Sequence, residues 1–431
     1  MTDRLVVEGP VRLAGTVSLP GDKSISHRAV LLASRASGPS VLQNLSPGAD
    51  LAASRRLGER IGATFRPHDA DPGTGSPRFS GMAVTPGTGE PGPVRVDCSN
   101  SGTTMRLGAG LLAGRPGVTV LDGDGSLVTR PMQRVVDPLL EMGGDVRSRE
   151  GHPPLTVRGQ SLEGTEVRIG VASAQVKGAV LLAALDAAGP TAVMEATPTR
   201  AHTEEMLAKV GVKIQVERGC IRVSPGPTQG LNLKVPADPS AAAFWMVAAC
   251  ITPGSRIRAE SVYLGPGRDG FVGILKRMGA NLVAEADAAG EFTLEAAHGE
   301  LGATVIDDPL EIAACIDELP ALLVAAAMAE GTTVLRNASE LRVKETDRIA
   351  AMATLLRAFA VDVEEFEDGL AVHGSHLSAT RVDSGGDHRI AMAAAVAGMA
   401  ASGRSEIATW EAVAVSDPGF EKVLQDVRIP G

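Results

Sequence analysis

The stretch GDKSISHRAVLLAS, residues 21–34, decides the reading of the fold. Asp22, Lys23, Ser24, Ser26, His27 and Arg28 stand directly ahead of an Ala/Leu/Val run. A helix entering a core normally begins with one capping residue and keeps its cations for the last turn, where the helix dipole favours them. Two cations and two hydroxyls at the start of an apolar helix need another cause. The pattern recurs as SNSGTTMRLGAGLLAG, SAQVKGAVLLAAL, ADPSAAAFWMVAACI, IDELPALLVAAAM and GDHRIAMAAAVAG. With Asp22, Ser99, Ser173, Asp238, Asp317 and Asp387 as markers, the intervals are 77, 74, 65, 79 and 70 residues. That exceeds a solenoid repeat and suits a small unit of two helices and several strands.

A second helix follows in each unit and ends alike, in ERIGAT, LEMGGDV, AKVGVKI, KRMGANL and RAFAVDV. Between the helices lies a short strand such as GVTVLDG or TTVLRNA, and hairpins such as VERGCIRV and FEDGLAV come after. The fold class is therefore α/β (α+β), with two similar domains of three units each. Units one to three span 21–235. Units four to six span 236–431 and are joined by residues 1–20, whose strands RLVVEG and VRLAGTVSLP complete the sixth unit. Crossings near residues 20 and 236 form the hinge. The Pro/Gly-rich stretch 67–93 reads as hairpins and a surface loop inside unit one. The first helix of each unit has no polar stripe, so it is buried all round. Three such helices per domain, with their starts pointing one way, present unpaired N–H groups and partial positive charge. Two domains facing each other enclose a cleft walled by six polar clusters, and anions are its expected ligands.

Bulk composition narrows the partners. The chain of 431 residues carries a net charge of −10, which excludes nucleic acid as the main partner. Cys98, Cys220, Cys250 and Cys315 lie far apart with no CxxC, so neither a zinc site nor a disulfide framework is indicated. MTDRLVVEGP lacks the basic and apolar regions of a secretory signal, and AAAFWMVAACI (241–251) is too short to span a bilayer. The expectation is a cytoplasmic protein without membrane contact.

The clusters supply Lys23, Ser24 and Arg28; Asn100, Ser101, Gly102, Thr103, Arg106 and Arg130; and Ser173, Gln175, Lys177 and Arg200. The second half supplies Asp317, the run RVKETDRI (342–349) and Arg389. Arginine forks match carboxylate and phosphate oxygens, whereas lysine delivers a point charge. Such a set implies two anionic ligands, or one with well-separated charges. Plainer readings apply elsewhere. Asp238 and Ser240 read as helix caps, His27 and His388 as structural, and Arg106 as packing. GAGLLA (108–113) lacks the strand a dinucleotide site needs, and GDKS lacks the frame of a phosphate-binding loop.

Taken in order and spacing, PGDKSISHRA, NSGTTMR, RPM, SAQVK, RVKETDRI and DHRIAM resemble the 5-enolpyruvylshikimate-3-phosphate synthase family over essentially the whole chain. The resemblance implies two domains of βαβαββ units that close on their substrates, with the active site in the cleft. It implies transfer of the enolpyruvyl group of phosphoenolpyruvate to the 5-hydroxyl of shikimate 3-phosphate, without cofactor or metal, by a monomer. By motif, Lys23, Ser24, Arg28, Ser173, Ala174, Gln175, Thr199, Arg200, Asp317 and Lys344 contact the acceptor. Lys23, Asn100, Gly102, Arg130, Gln175, Arg348 and Arg389 hold phosphoenolpyruvate. Asp317 takes the proton of the attacking hydroxyl and Glu345 handles the proton at the methylene carbon, with Lys23 reaching both substrates. Retained Gly102 implies that the herbicide glyphosate fits the phosphoenolpyruvate site.

The chain departs from that pattern at Ser99 (usually Gly), Thr199 (usually Ser), Ala237 and Ala241 (Gly and Ser), Val415 (often Lys) and Asp417 (often aromatic). A sister enolpyruvyl transferase acting on a phosphorylated sugar or nucleotide is the nearest alternative. A non-catalytic anion sensor would keep the cations and could lose Asp317 and Glu345. A purely structural repeat needs no cations at buried helix starts.

Overall fold

The computed structural model describes residues 3–68, 81–86, 94–217 and 219–429. The chain opens with β1 (Arg4–Gly9) and β2 (Arg12–Val17). Unit one runs α1 (Lys23–Arg35), β3 (Ser40–Gln43), α2 (Leu51–Arg60), β4 (Thr64–His68), β5 (Gly81–Thr85) and β6 (Val94–Asp97). Unit two follows as α3 (Gly102–Ala113), β7 (Gly117–Asp122), α4 (Gln133–Glu141), β8 (Asp145–Arg149), β9 (His152–Gly159) and β10 (Glu166–Ile169). Unit three is α5 (Ala174–Ala183), β11 (Thr191–Glu195), α6 (His202–Lys209), β12 (Ile214–Glu217), β13 (Cys220–Val223) and β14 (Asn232–Lys234).

Unit four comprises α7 (Pro239–Ile251), β15 (Arg256–Val262), α8 (Gly270–Arg277), β16 (Asn281–Ala286), β17 (Phe292–Ala297) and β18 (Val305–Ile306). Unit five has a short α9 (Pro309–Cys315) before α10 (Leu319–Ala327), then β19 (Thr332–Leu335), α11 (Arg348–Ala358), β20 (Asp362–Phe366), β21 (Gly369–His373) and β22 (Arg381–Asp383). Unit six is α12 (His388–Ala400), β23 (Gly403–Ala408), α13 (Phe420–Val427) and β24 (Arg428–Ile429). Around the Pro/Gly-rich stretch, β4 and β5 form an antiparallel pair, while residues 69–80 and 87–93 lie outside the described residues.

The six sheets share one rule. The strand after each buried helix pairs in parallel with a strand from outside its own unit: β7 with β6, β11 with β10, β3 with β14, β19 with β18, β23 with β22, and β15 with β2. This corrects the reading of residues 1–20. β1 does complete unit six, antiparallel to β23. β2 instead joins the sheet of unit four, with β24 at its outer edge. The reason is cyclic closure: β2 gives β15 of unit four the parallel partner that β14 gives β3 of unit one.

By internal packing the chain divides into two compact units, Lys23–Val235 and Met1–Asp22 with Pro236–Gly431. In the first, α3 packs on both α1 and α5; in the second, α7, α10 and α12 pack on one another. Every residue of α7 and of α10 is buried, as is every residue of α12 but Ala400. Small side chains permit this: Gly110 faces the Ala179 carbonyl of α5 so closely that an added Cβ would stand 2.0 Å from its oxygen.

Candidate functional site

In the unit Lys23–Val235 the starts of the buried helices are tied together by their polar residues. Lys23, the first residue of α1, places Nζ 2.7 Å from Asp50 Oδ2. Behind it, His27 Nε2 lies 3.2 Å from the same oxygen and Nδ1 lies 2.8 Å from Ser54 Oγ. Burial works against an ionised Asp50, but the adjacent Lys23 and His27 outweigh it and hold the carboxyl well below the ordinary range. Arg28, 2% exposed, donates from Nε to Thr203 Oγ1 (2.7 Å) and from its fork to the carbonyls of Ser24 (3.0 Å) and Ala174 (3.2 Å). Ser173 caps α5, its side chain accepting from the Val176 amide.

Gln175 links the helix starts of units two and three. Its Nε2 donates to Thr103 Oγ1 at 2.9 Å, and its carbonyl oxygen accepts from Arg106. Arg106 therefore joins two repeats rather than packing within one. Arg130 donates to Asn100 Oδ1 at 2.7 Å. Gly102 lies under both arginines: a Cβ there would meet Arg106 Nη1 at 2.9 Å and Arg130 Nη1 at 3.2 Å. Ser99 adopts φ +48°, which explains why glycine suits that position. Here its amide donates to Asp97 (2.7 Å) and its hydroxyl accepts from Arg56 (2.7 Å). Thr199 and Arg200, both half-buried, lie in the segment that leads into α6. Lys177 differs from the wall cation the sequence suggested. Buried and 1% exposed, it is neutralised by Glu195 and Glu204 at 2.9 and 2.7 Å.

The other unit gathers Asp317, Lys344, Glu345, Arg348, Asp387 and Arg389. Asp387 caps α12 and receives Arg348 Nε at 2.8 Å. The same guanidinium meets Glu345 Oε2 at 2.6 Å and Asp317 Oδ1 at 3.4 Å. Arg389 donates to the Asp317 carbonyl at 2.8 Å. Burial opposes the charge on Asp387, but Arg348 outweighs it and lowers the carboxyl below its usual range. Desolvation lowers Lys344 against the pull of Asp317.

Reading the sequence missed Arg268, which sits in the loop YLGPGRD before α8. It is 1% exposed, and its fork reaches Asp22 (3.1 Å), Asp238 (2.9 Å) and Glu318 (3.0 Å). Asp238 is indeed the cap of α7, with Ser240 as the amide donor. The cap reading was incomplete, because both residues also receive Arg268. Asp22 immediately precedes Lys23 and Glu318 immediately follows Asp317. A separate pocket of about 570 Å³ at the C-terminal ends of α7 and α10, lined by His298, Glu300, Glu330 and His376, contains none of these residues.

Among the described residues no group of His, Cys, Asp or Glu is arranged to hold a metal, and no helix is long and apolar enough to cross a membrane. What the helix starts offer is fixed cations in one unit, with two half-buried carboxylates on one guanidinium in the other. Fixed cations at helix starts suit anionic ligands, and carboxylates held by an arginine suit proton transfer. The model of EPSP synthase (3-phosphoshikimate 1-carboxyvinyltransferase) matches residues 7–424, and the chain belongs to that family. It is 45% identical over 430 residues to the 3-phosphoshikimate 1-carboxyvinyltransferase of Pelotomaculum thermopropionicum, covering 97% of each chain. It is 45% identical to that of Acidithiobacillus ferrooxidans over 435 residues, covering 100% of this chain and 98% of the relative. The solved EPSP synthase of Acinetobacter baumannii superposes with a TM-score of 0.83 at 36% identity, over 99% of this chain and 98% of that one. An enolpyruvyl transferase of Streptomyces tendae, NikO, shares the fold with a TM-score of 0.78 at 19% identity, over 99% of both chains.

Proposed function

We infer that the protein is a transferase that moves the enolpyruvyl group of phosphoenolpyruvate to the 5-hydroxyl of shikimate 3-phosphate and releases phosphate. Family membership over nearly the full chain supports this reaction, and the identity to curated relatives favours shikimate 3-phosphate over another phosphorylated acceptor.

The residue roles are our proposal. Lys23, Ser24, Arg28, Ser173, Ala174, Gln175, Thr199, Arg200, Asp317 and Lys344 take the acceptor. Lys23, Asn100, Gly102, Arg130, Gln175, Arg348 and Arg389 take phosphoenolpyruvate. The acceptor oxygen bonds to C2 of phosphoenolpyruvate as its proton passes to Asp317, and C3 gains a proton from Glu345. In the resulting tetrahedral adduct the C2–O bond to phosphate breaks, and the departing phosphate takes up the hydroxyl proton that Asp317 had received. C3 returns a proton to Glu345, and the vinyl double bond reforms. One acid–base pair in separate roles is what addition followed by elimination needs, and the arginines stabilise the charge on the departing phosphate. The observation that carries the assignment is Arg348, whose single guanidinium holds both Asp317 and Glu345.

The test is phosphate release from phosphoenolpyruvate by purified protein, with and without shikimate 3-phosphate. Acceptor-dependent release at enzymatic rates is expected. Binding of phosphoenolpyruvate without release would assign the protein a different acceptor.

A further inference from the structure

We propose that Lys177 is a positioning residue for the acceptor side of the reaction, tying the Thr199–Arg200 segment to the first turn of α6 and thereby fixing the directions of Arg200 and Arg28. The inference rests on the reading of Thr199, Arg200 and Arg28 as acceptor contacts.

Lys177 is the lone charged residue of α5, whose other side chains are small or apolar apart from Gln175. A lysine ammonium has three N–H donors. All three have acceptors here: Glu195 Oε2 at the end of β11 (2.9 Å), Glu204 Oε1 in the first turn of α6 (2.7 Å) and the Thr199 carbonyl (3.2 Å). The second oxygen of Glu195 accepts from the Thr199 hydroxyl. Thr199 is thus held at its carbonyl and at its side chain, and Arg200 follows it directly in the chain. On the other arm, Glu204 follows Thr203, which accepts from Arg28 Nε at 2.7 Å. Arg28 closes the circuit on the Ala174 carbonyl at 3.2 Å, back on α5.

The charges require this arrangement. Two buried glutamates share one lysine, so the cluster carries a net −1, and burial raises Glu204 while Lys177 opposes the rise. A cation so fully committed does not bind substrate. It sets where the neighbouring arginines point, and misplacing a binding group by about 1 Å costs roughly 100-fold.

Lys177→Met alone leaves two buried carboxylates without a counter-ion and risks the fold. The decisive variant is the double substitution Lys177→Met with Glu204→Gln, which keeps both volumes and the net −1. Steady-state kinetics with both substrates varied should show the KM for shikimate 3-phosphate raised about tenfold or more, with kcat and the KM for phosphoenolpyruvate within about twofold of wild type. An unchanged acceptor KM overturns the proposal. So does an equal fall in kcat/KM for both substrates at constant KM, which is the signature of lost folded protein. Arg200→Ala separates this idea from the one beneath it. It must also raise the acceptor KM, and no change there removes Arg200 from the acceptor contacts and the hub's purpose with it.

Discussion

Replacing Arg268 by Met should unfold one half of the molecule long before the other. The side chain is 1% exposed, and its fork compensates Asp22, Asp238 and Glu318, of which Asp22 and Glu318 are fully buried. Removing one partner of a buried ion pair costs about 3–5 kcal/mol, because the remaining charge stays desolvated and unpaired. Here three carboxylates lose the same cation, so about 4 kcal/mol is a lower figure for the loss. With a urea slope of about 2 kcal/mol per molar, the midpoint should fall by about 2 M. The assay is selective: the chain has two tryptophans, Trp245 and Trp410. Both are fully buried, and both pack on Phe420 in the unit that contains Arg268. Tryptophan emission during urea unfolding therefore reports that unit alone. Adding Glu318→Gln to Arg268→Met removes one orphaned charge and should recover about 1–2 kcal/mol, a coupling that independent sites would not show. A midpoint for Arg268→Met within about 0.3 M of wild type would refute the reasoning, as would a further loss on adding Glu318→Gln.

Asp317→Asn should lower kcat at least about 100-fold while both substrates still bind by calorimetry, as expected for loss of a general base; a near-normal rate would remove Asp317 from that role. Gly102→Ala should move the Arg106 and Arg130 termini by a few tenths of an ångström, raise the KM for phosphoenolpyruvate several-fold, and change stability by less than about 1 kcal/mol. An unaltered KM would place Gly102 outside that pocket. Because the folded Asp50 carboxyl lies below its unfolded value, its contribution to stability is complete above the ordinary range near 4 and is lost as pH falls through the depressed value. The stability gap between wild type and Asp50→Asn should accordingly narrow in acid, and a gap that widens below pH 4 would contradict this. Burial pushes the Cys98 and Cys250 thiols up to about 12, so native protein treated with iodoacetamide at pH 8 should be labelled first at half-buried Cys220, as peptide mass spectrometry would register.

The helix starts were legible because they break a rule. Lys23 and Arg28 at the positive end of α1 are unfavourable unless something anionic faces them, and a polar cluster ahead of each of six apolar helices turned that anomaly into an architecture. Strand pairing between units was less legible. RLVVEG and VRLAGTVSLP look alike in sequence, yet β1 closes unit six and β2 joins the sheet of unit four between β15 and β24. Local alternation fixes which face of a strand is buried, and it says nothing about which sheet receives the strand.

The same limit explains Lys177 and Arg268. A cation in a sequence carries no mark of its partners, so Lys177 beside Ser173 and Gln175 read as part of the wall. Its neutralising glutamates lie 18 and 27 residues further on, in a strand and a helix whose approach depends on the folded unit. Arg268 lies in a loop without periodicity, and its partners come from positions 22, 238 and 318. One signal was available. Asp22, Asp238 and Glu318 each stand at the start of a buried helix, where a carboxylate gains from the helix dipole. Of the two cations in their three motifs, Lys23 pairs with Asp50 and Arg28 donates to Thr203 and to the Ser24 and Ala174 carbonyls. Three carboxylates converging in one core then demand a cation from elsewhere, because unpaired buried charge is too costly to keep. Counting charge over each set of converging helix starts, rather than over each motif, calls for an arginine in the place that Arg268 fills.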